Sequence, residues 1–228
     1  MRTRLRRRHI AAVLTGSALL SIVPFLGWSG AEGEAPIGQT PTSLVVIGDS
    51  ITARYNDEPG HLDQGWWSVV ARHYRADVRT YAQNGSGYLR PGLACTGDRF
   101  RDRVPAFLGP APSVFIIEGG RNDWAKCVDG SFRTATDAEI RAAVNEYMDI
   151  VDHLMPATTR VLVVTPWGPR QPIEQMRVIP IIRTAAVDHG FEFVDTTGVL
   201  GPDAVVDGVH PNRAGNLAIA DRVIAAIG

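Results

Sequence analysis

The sequence predicts a single α/β domain whose sheet is parallel and covered on both faces, and two patterns carry that expectation. Five short apolar runs, Ser43–Gly48 and residues 78–82, 113–118, 160–165 and 191–194, are continuous and β-branched instead of alternating, as strands buried on both faces are. Stretches with helical spacing separate several of them. Strand and helix alternating in this way wind into a doubly wound sheet, whose ligands dock beyond the carboxyl ends of the strands.

Taken in order, the first element stands outside that domain. Arg2, Arg4, Arg6, Arg7 and Arg8 precede an uncharged apolar stretch at 10–28, and Ser29-Gly30-Ala31 supplies the small residues a signal peptidase reads. The expectation is a signal peptide over 1–31, with Ala35 as a second cleavage point. An uncleaved anchor helix is the competing reading, and Arg7-Arg8 leaves a twin-arginine route open. Gly33, Pro36, Gly38 and Pro41 punctuate a linker over 32–42, and the domain occupies 43–228. Its clearest helix is Asp137–Leu154, with Ile140, Val144, Tyr147, Ile150 and Val151 on one face and Thr136 or Asp137 as cap. Further helices are expected at 65–74, at 172–189 with Gly190 as its stop, and at Arg213–Ile227.

Bulk composition narrows the function classes. With 45% hydrophobic and 21% charged residues, the 228-residue chain has ordinary globular usage, which excludes a disordered or multi-span membrane protein. Its formal net charge of −1 includes the five N-terminal arginines; without residues 1–31, 18 basic residues face 24 acidic ones, about −6. Nucleic acid is therefore not an expected partner, since neutralising phosphates needs a basic face. Membrane contact is expected only through the N-terminal segment if it is left uncleaved, in a secreted or envelope-associated monomer. Cys95 and Cys127 are too few for a zinc ribbon and, after export, are expected to form one disulfide.

Four motifs carry the chemistry. Gly48-Asp49-Ser50 stands where the first strand stops, presenting the Ser50 hydroxyl at the edge where substrates dock. A hydroxyl is a weak nucleophile until a base takes its proton, and an imidazole serves as that base when an acceptor on its other nitrogen holds the right tautomer. Asp207-Gly208-Val209-His210 supplies both groups three residues apart, just before the last helix. His153 and His189 fall late in helical patterns, and His61 and His73 have no matching carboxylate motif. Gly119-Gly120-Arg121-Asn122-Asp123 follows the central strand and brings the Asn122 amide to the same cleft. Asn84-Gly85-Ser86-Gly87 follows the second strand, where Gly85 lets the backbone approach closely and present its N–H. Preorganised donors aimed at a developing oxyanion contribute about 3–4 kcal/mol each. Each motif alone is compatible with an ordinary turn; their joint order and placement are what is specific.

In this order the four segments resemble the SGNH hydrolase superfamily, the GDSL-like lipases and esterases. The resemblance implies Ser50 as nucleophile with Asp207 and His210 completing a triad, and an oxyanion hole made of the Ser50 and Gly85 backbone N–H groups with the Asn122 side chain. It implies a flavodoxin-like three-layer α/β/α sandwich with a five-stranded parallel sheet in the order 2-1-3-4-5. The expected reaction is hydrolysis of carboxylic esters, short acyl or O-acetyl groups on small molecules, glycans or lipids, through a Ser50 acyl-enzyme, with no cofactor and no metal.

Two positions depart from the family pattern. Ile51 replaces the common leucine, and Ala53-Arg54 stands where many members carry a glycine, which leaves acyl-chain preference unassigned and Arg54 a candidate for shaping the entrance. A Cys95–Cys127 bridge would join the loops that carry Gly85 and Asn122 and brace the oxyanion hole. Trp66, Trp67, Trp124 and Trp167 are candidates to line a sugar or acyl site, Trp124 and Trp167 foremost, with core packing expected for Trp66 or Trp67. Among rival readings, the chain has no G-x-S-x-G elbow and no complete G-x-G-x-x-G, and a metal held by Asp123, Asp207 and His210 would leave Ser50 without a purpose. An acyltransferase using the same serine and a non-catalytic glycan-binding module stay open.

Overall fold

In the computed structural model, which describes residues 40–53, 64–169 and 173–228, the strands run in chain order as β1 (Ser43–Gly48), β2 (Asp77–Ala82), β3 (Val114–Glu118), β4 (Ala125–Val128), β5 (Ser131–Thr134), β6 (Arg160–Trp167) and β7 (Glu192–Thr197). Five of them form one parallel sheet in the order β2-β1-β3-β6-β7, and β4 pairs antiparallel with β5 in a separate hairpin. This is the expected order, with the hairpin inserted after the central strand. The signal segment, most of the linker and Arg54 lie outside the described residues.

The apolar runs are continuous because both faces of the sheet are covered. Leu44 and Val46 of β1, with Val114, Ile116, Leu162 and Val164, pack on α2 (Trp66–Tyr74) and α6 (Arg213–Ile227) through Trp66, Val70, Ile219 and Val223. Their neighbours Val45, Ile47, Phe115, Ile117 and Val163 point the opposite way, onto Ile140, Val144, Tyr147 and Val151 of α3 (Asp137–Leu154) and Ile181, Ile182 and Ala185 of α5 (Val178–Asp188). α3 begins where the sequence placed it: Thr136 accepts from the Glu139 N–H while Glu139 reaches back to the Thr136 N–H, a capping box of about 1 kcal/mol.

Two elements differ from expectation. The single helix over 172–189 is broken into α4 (Ile173–Met176) and α5. Pro180 is the physical reason: its ring clashes with the carbonyl four residues back, at Met176, and is tolerated only in the first turn of a helix that restarts. The hairpin β4–β5 occupies what read as loop. Asp129 and Gly130 both have positive φ, 50° and 74°, the pair a two-residue primed turn demands. The Asp-Gly signal for it was present in the sequence.

Candidate active site

All four motifs lie at the carboxyl edge of the sheet. β1 stops at Gly48 and the chain turns at once into α1 (Ser50–Ala53), closed by the Ala53 N–H donating to Asp49 O at 3.0 Å. Only glycine fits at the bend, because a Cβ on Gly48 would stand 2.3 Å from Thr52 Oγ1 and 2.8 Å from Glu118 Oε2. Asp49 is buried; its Oδ1 accepts from the Ile51 N–H at 2.8 Å and its Oδ2 from Asn122 Nδ2 at 3.2 Å. Burial lifts the Asp49 pKa to about 7 against the pull of the Ile51 N–H.

The loop after β2 is pinned to the turn after β3. Asn122 Nδ2 also donates to Ser86 O at 2.9 Å, and the buried Asp123 carboxylate accepts the N–H groups of Tyr88, Leu89 and Arg90 at 2.8–3.1 Å. Burial raises Asp123 to about 6 despite those donors. Gly85 has φ +73°, and a Cβ there would lie 2.8 Å from Leu93 Cδ2, so its backbone sits tight against the Leu93 segment. From beneath, the buried Arg103 guanidinium donates to Gly48 O and Tyr81 O, both at 2.7 Å, and to Ser86 Oγ, tying β1, β2 and the Gly85 loop together.

The acid–imidazole pair forms the other half of the edge. Asp207 Oδ2 lies 2.7 Å from His210 Nδ1, and its Oδ1 accepts the N–H groups of Val209 (3.0 Å) and His210 (2.8 Å). Partial burial pushes the Asp207 pKa up, but these donors outweigh it and hold it at about 2. The loop is closed on itself by the Val206 N–H donating to His210 O at 2.9 Å. It seats on the end of β6, where a Cβ on Gly168 would meet Gly208 O at 2.9 Å and Val209 Cα at 3.0 Å. Arg121 links the halves, since its guanidinium interacts electrostatically with both Asp49 and Asp207.

The structure thus joins Ser50 with its Asp49 turn, the Gly85–Ser86 loop and Asn122 in one hydrogen-bonded unit, and Asp207 with His210 in a second. Cys95 and Cys127 are disulfide-bonded, their Cα atoms 5.6 Å apart. Cys127 belongs to β4 and not to a loop, so the bridge ties the Leu93–Cys95 turn, which backs Gly85, to the hairpin that follows Asn122. Trp66 and Trp67 are core residues, with Trp67 Nε1 donating to Thr52 O at 3.1 Å; Trp124 is half-buried, and of Trp167 only its place at the end of β6 is described. A recess of about 370 Å³ is lined by Ala53 of α1 and by Ala82, Gln83, Asn84, Leu93 and Thr96 at and after the end of β2. A wider one of about 590 Å³, lined by Pro169, Pro202, Val205, Val206, Asp207 and Gly208, adjoins the acid–imidazole loop.

A second imidazole–carboxylate pair, His189 Nε2 to Asp149 Oδ1 at 2.9 Å, sits just before β7 begins, at the opposite edge of the sheet. Among the described residues no three His, Cys, Asp or Glu side chains converge as a ligand set, and both Asp123 oxygens are taken by backbone donors. Sequence reasoning missed Glu118 and Arg103. The available signal was a lone charge closing an apolar buried strand in one case; for Arg103, nothing local distinguishes it from a surface arginine.

Comparison with known proteins bears on the family and the fold. Residues 46–218 match the GDSL-like lipase/acylhydrolase family. A GDSL lipase of Mycobacterium tuberculosis is 29% identical over 196 residues, covering 81% of this chain and 80% of that protein. A family two carbohydrate esterase from Clostridium thermocellum, solved with cellohexaose, superposes with a TM-score of 0.65 at 19% identity, over 81% of this chain and 62% of the other. A carbohydrate acetylesterase family member from Sinorhizobium meliloti gives 0.61 at 18% identity, over 81% of this chain and 96% of the other.

Proposed function

The chain belongs to the GDSL-like lipase/acylhydrolase family and is a serine hydrolase acting on ester bonds; on that footing we propose an exported esterase in which Ser50 carries the acyl group as a covalent intermediate. The observation that carries the reading is the Asp207–His210 contact at 2.7 Å through Nδ1. An ionised Asp207 keeps the Nδ1 proton in place and leaves the Nε2 lone pair free to act as base.

Ser50 Oγ passes its proton to His210 Nε2 as the Oγ–C bond forms and the carbonyl π pair moves onto oxygen. The Ser50 and Gly85 N–H groups and the Asn122 amide receive that oxyanion. Collapse expels the alcohol, which leaves with the proton from His210. Water, deprotonated by the same imidazole, then attacks the acyl-Ser50 ester, releasing the acid and restoring the hydroxyl.

The direction of the proton sets the direction of the substrate. His210 must reach the leaving oxygen, so the alcohol faces β6 and the acyl chain lies over β2, in the recess beside Ala53, Asn84 and Leu93. That recess suits a short acyl group, and the wider one near Val206 and Pro169 suits a bulkier alcohol. The carbohydrate esterases among the structural neighbours support a glycan hydroxyl as that alcohol, the substrate being an O-acetylated glycan. Export is supported by the arginine-led apolar N-terminus and by the disulfide; no helix among the described residues is long and apolar enough to cross a membrane.

The test is hydrolysis of p-nitrophenyl esters of increasing chain length. Ser50→Ala and His210→Ala are each expected to lower kcat about a thousandfold or more, and a fluorophosphonate to label Ser50 in the wild type. Leu93→Trp, which fills the β2-side recess, is expected to depress hexanoate far more than acetate. Undiminished turnover in Ser50→Ala would end the nucleophile assignment, and an unchanged chain-length profile in Leu93→Trp would move the acyl group elsewhere.

A further inference from the structure

Glu118 closes the central strand β3, whose other four residues are all apolar and buried, and it is itself fully buried. A carboxyl group in such a place is costly unless hydrogen bonds compensate. Its partners are specific. Oε2 accepts from the Asp49 N–H at 3.3 Å and from Thr52 Oγ1 at 2.6 Å, and these residues bracket Ser50 and Ile51. Gly48 is confined to glycine partly by this same oxygen, 2.8 Å from where a Cβ would stand. Oε1 has no hydrogen-bond partner among the described residues.

We propose that Glu118 is a positioning residue for the nucleophile: a single carboxyl oxygen holds both ends of the Asp49–Thr52 turn and so sets the direction of the Ser50 hydroxyl and backbone N–H. The inference rests on Ser50 being the nucleophile. A hydrogen-bonded tie at both ends leaves the short α1 little freedom to rotate, and the Ser50 N–H keeps its aim at the oxyanion.

The surroundings of Glu118 favour the protonated form. Burial, with Asp49 beside it, pushes the Glu118 pKa well above the carboxylate range; the Thr52 hydroxyl and the Asp49 N–H oppose this without reversing it. Arg103 and Tyr88 face the same group. Less negative charge beside the Ser50 turn favours the oxyanion that builds at Ser50.

Three variants test this, each with kcat, KM and the second-order rate of fluorophosphonate labelling measured at matched folded fraction. Glu118→Gln, neutral and with a carbonyl oxygen for the same two donors, is expected to keep kcat and labelling within about threefold of wild type. Glu118→Met fills the space but strands both donors; kcat and labelling should fall together about 10- to 100-fold with KM within about twofold. Thr52→Val removes one donor with little change of volume and carries the test if Glu118→Met fails to fold; it should lower both rates about 3- to 10-fold. Wild-type rates in Glu118→Met or Thr52→Val, or an equal fall in Glu118→Gln and Glu118→Met, overturn the proposal. A wild type that neither turns over ester nor takes the label overturns the nucleophile assignment and this proposal with it; an active wild type with an equally active Glu118→Met overturns this one alone.

Discussion

Asn122 Nδ2 stands 2.9 Å from Ser86 O and 3.2 Å from Asp49 Oδ2, so one amide group joins the loop after β2 to the residue that precedes Ser50. Both of its hydrogens are engaged. An oxyanion forming at Ser50 would draw on the longer and weaker of the two bonds, the one to Asp49, while the bond to Ser86 keeps the amide in position.

Asn122→Ala therefore removes an oxyanion donor and a structural tie together. Its kcat is expected to fall about 100- to 1000-fold, or about 3–4 kcal/mol of transition-state stabilisation, with a loss of folding stability of about 1–3 kcal/mol from the unpaired groups left behind. Steady-state kinetics beside urea unfolding measures both. A kcat within threefold of wild type would remove Asn122 from the oxyanion hole.

The Cys95–Cys127 bridge spans 32 residues of sequence. Closing a loop of that size stabilises the fold by about 3–4 kcal/mol in the chain-entropy model. Because Leu93 packs against Gly85 from the bridged turn, the double variant Cys95→Ser/Cys127→Ser should also lose kcat/KM under conditions where it is still folded. Mass spectrometry after alkylation establishes the wild-type bridge first. Equal activity in the folded double variant would leave the bridge a purely structural tie.

Stability should depend on pH in opposite senses at the two halves of the site. Asp49 (about 7) and Asp123 (about 6) have folded pKa values above the unfolded 3.8, so the folded state holds these protons more tightly. Their contribution is complete below about pH 4 and is lost as pH climbs through 6 and 7. Asp207, held at about 2, contributes stability that is present above about pH 4 and lost as pH falls through 2. Calorimetry is expected to show Tm falling between pH 5 and 8, with a smaller slope in Asp49→Asn, whose side chain does not titrate. A wild-type slope in that variant would contradict the raised Asp49.

Much of the fold was legible because its signals are local. The apolar runs of β1 and β3, the capping pattern at Thr136 and Glu139, and the spacing of α3 need only neighbouring residues to be read. The hairpin is equally local, written in Asp129-Gly130. Pro180 likewise marked the break between α4 and α5. The roles of Glu118 and Arg103 were not legible, since each depends on residues tens of positions away: Glu118 on Asp49 and Thr52, Arg103 on Gly48, Tyr81 and Ser86.

By itself, the sequence determined the parallel sheet, the order of its motifs and the residue types a serine hydrolase needs, because periodicity and motif order are properties of the chain. Only the tertiary structure decided which groups support them: that one buried carboxyl oxygen brackets Ser50, that Asn122 is shared between Asp49 and Ser86, and that the disulfide backs Gly85. The physical reason is that burial, hydrogen-bond partnership and the pKa of a carboxyl group depend on what surrounds it in space, and the chain's linear order does not specify those surroundings.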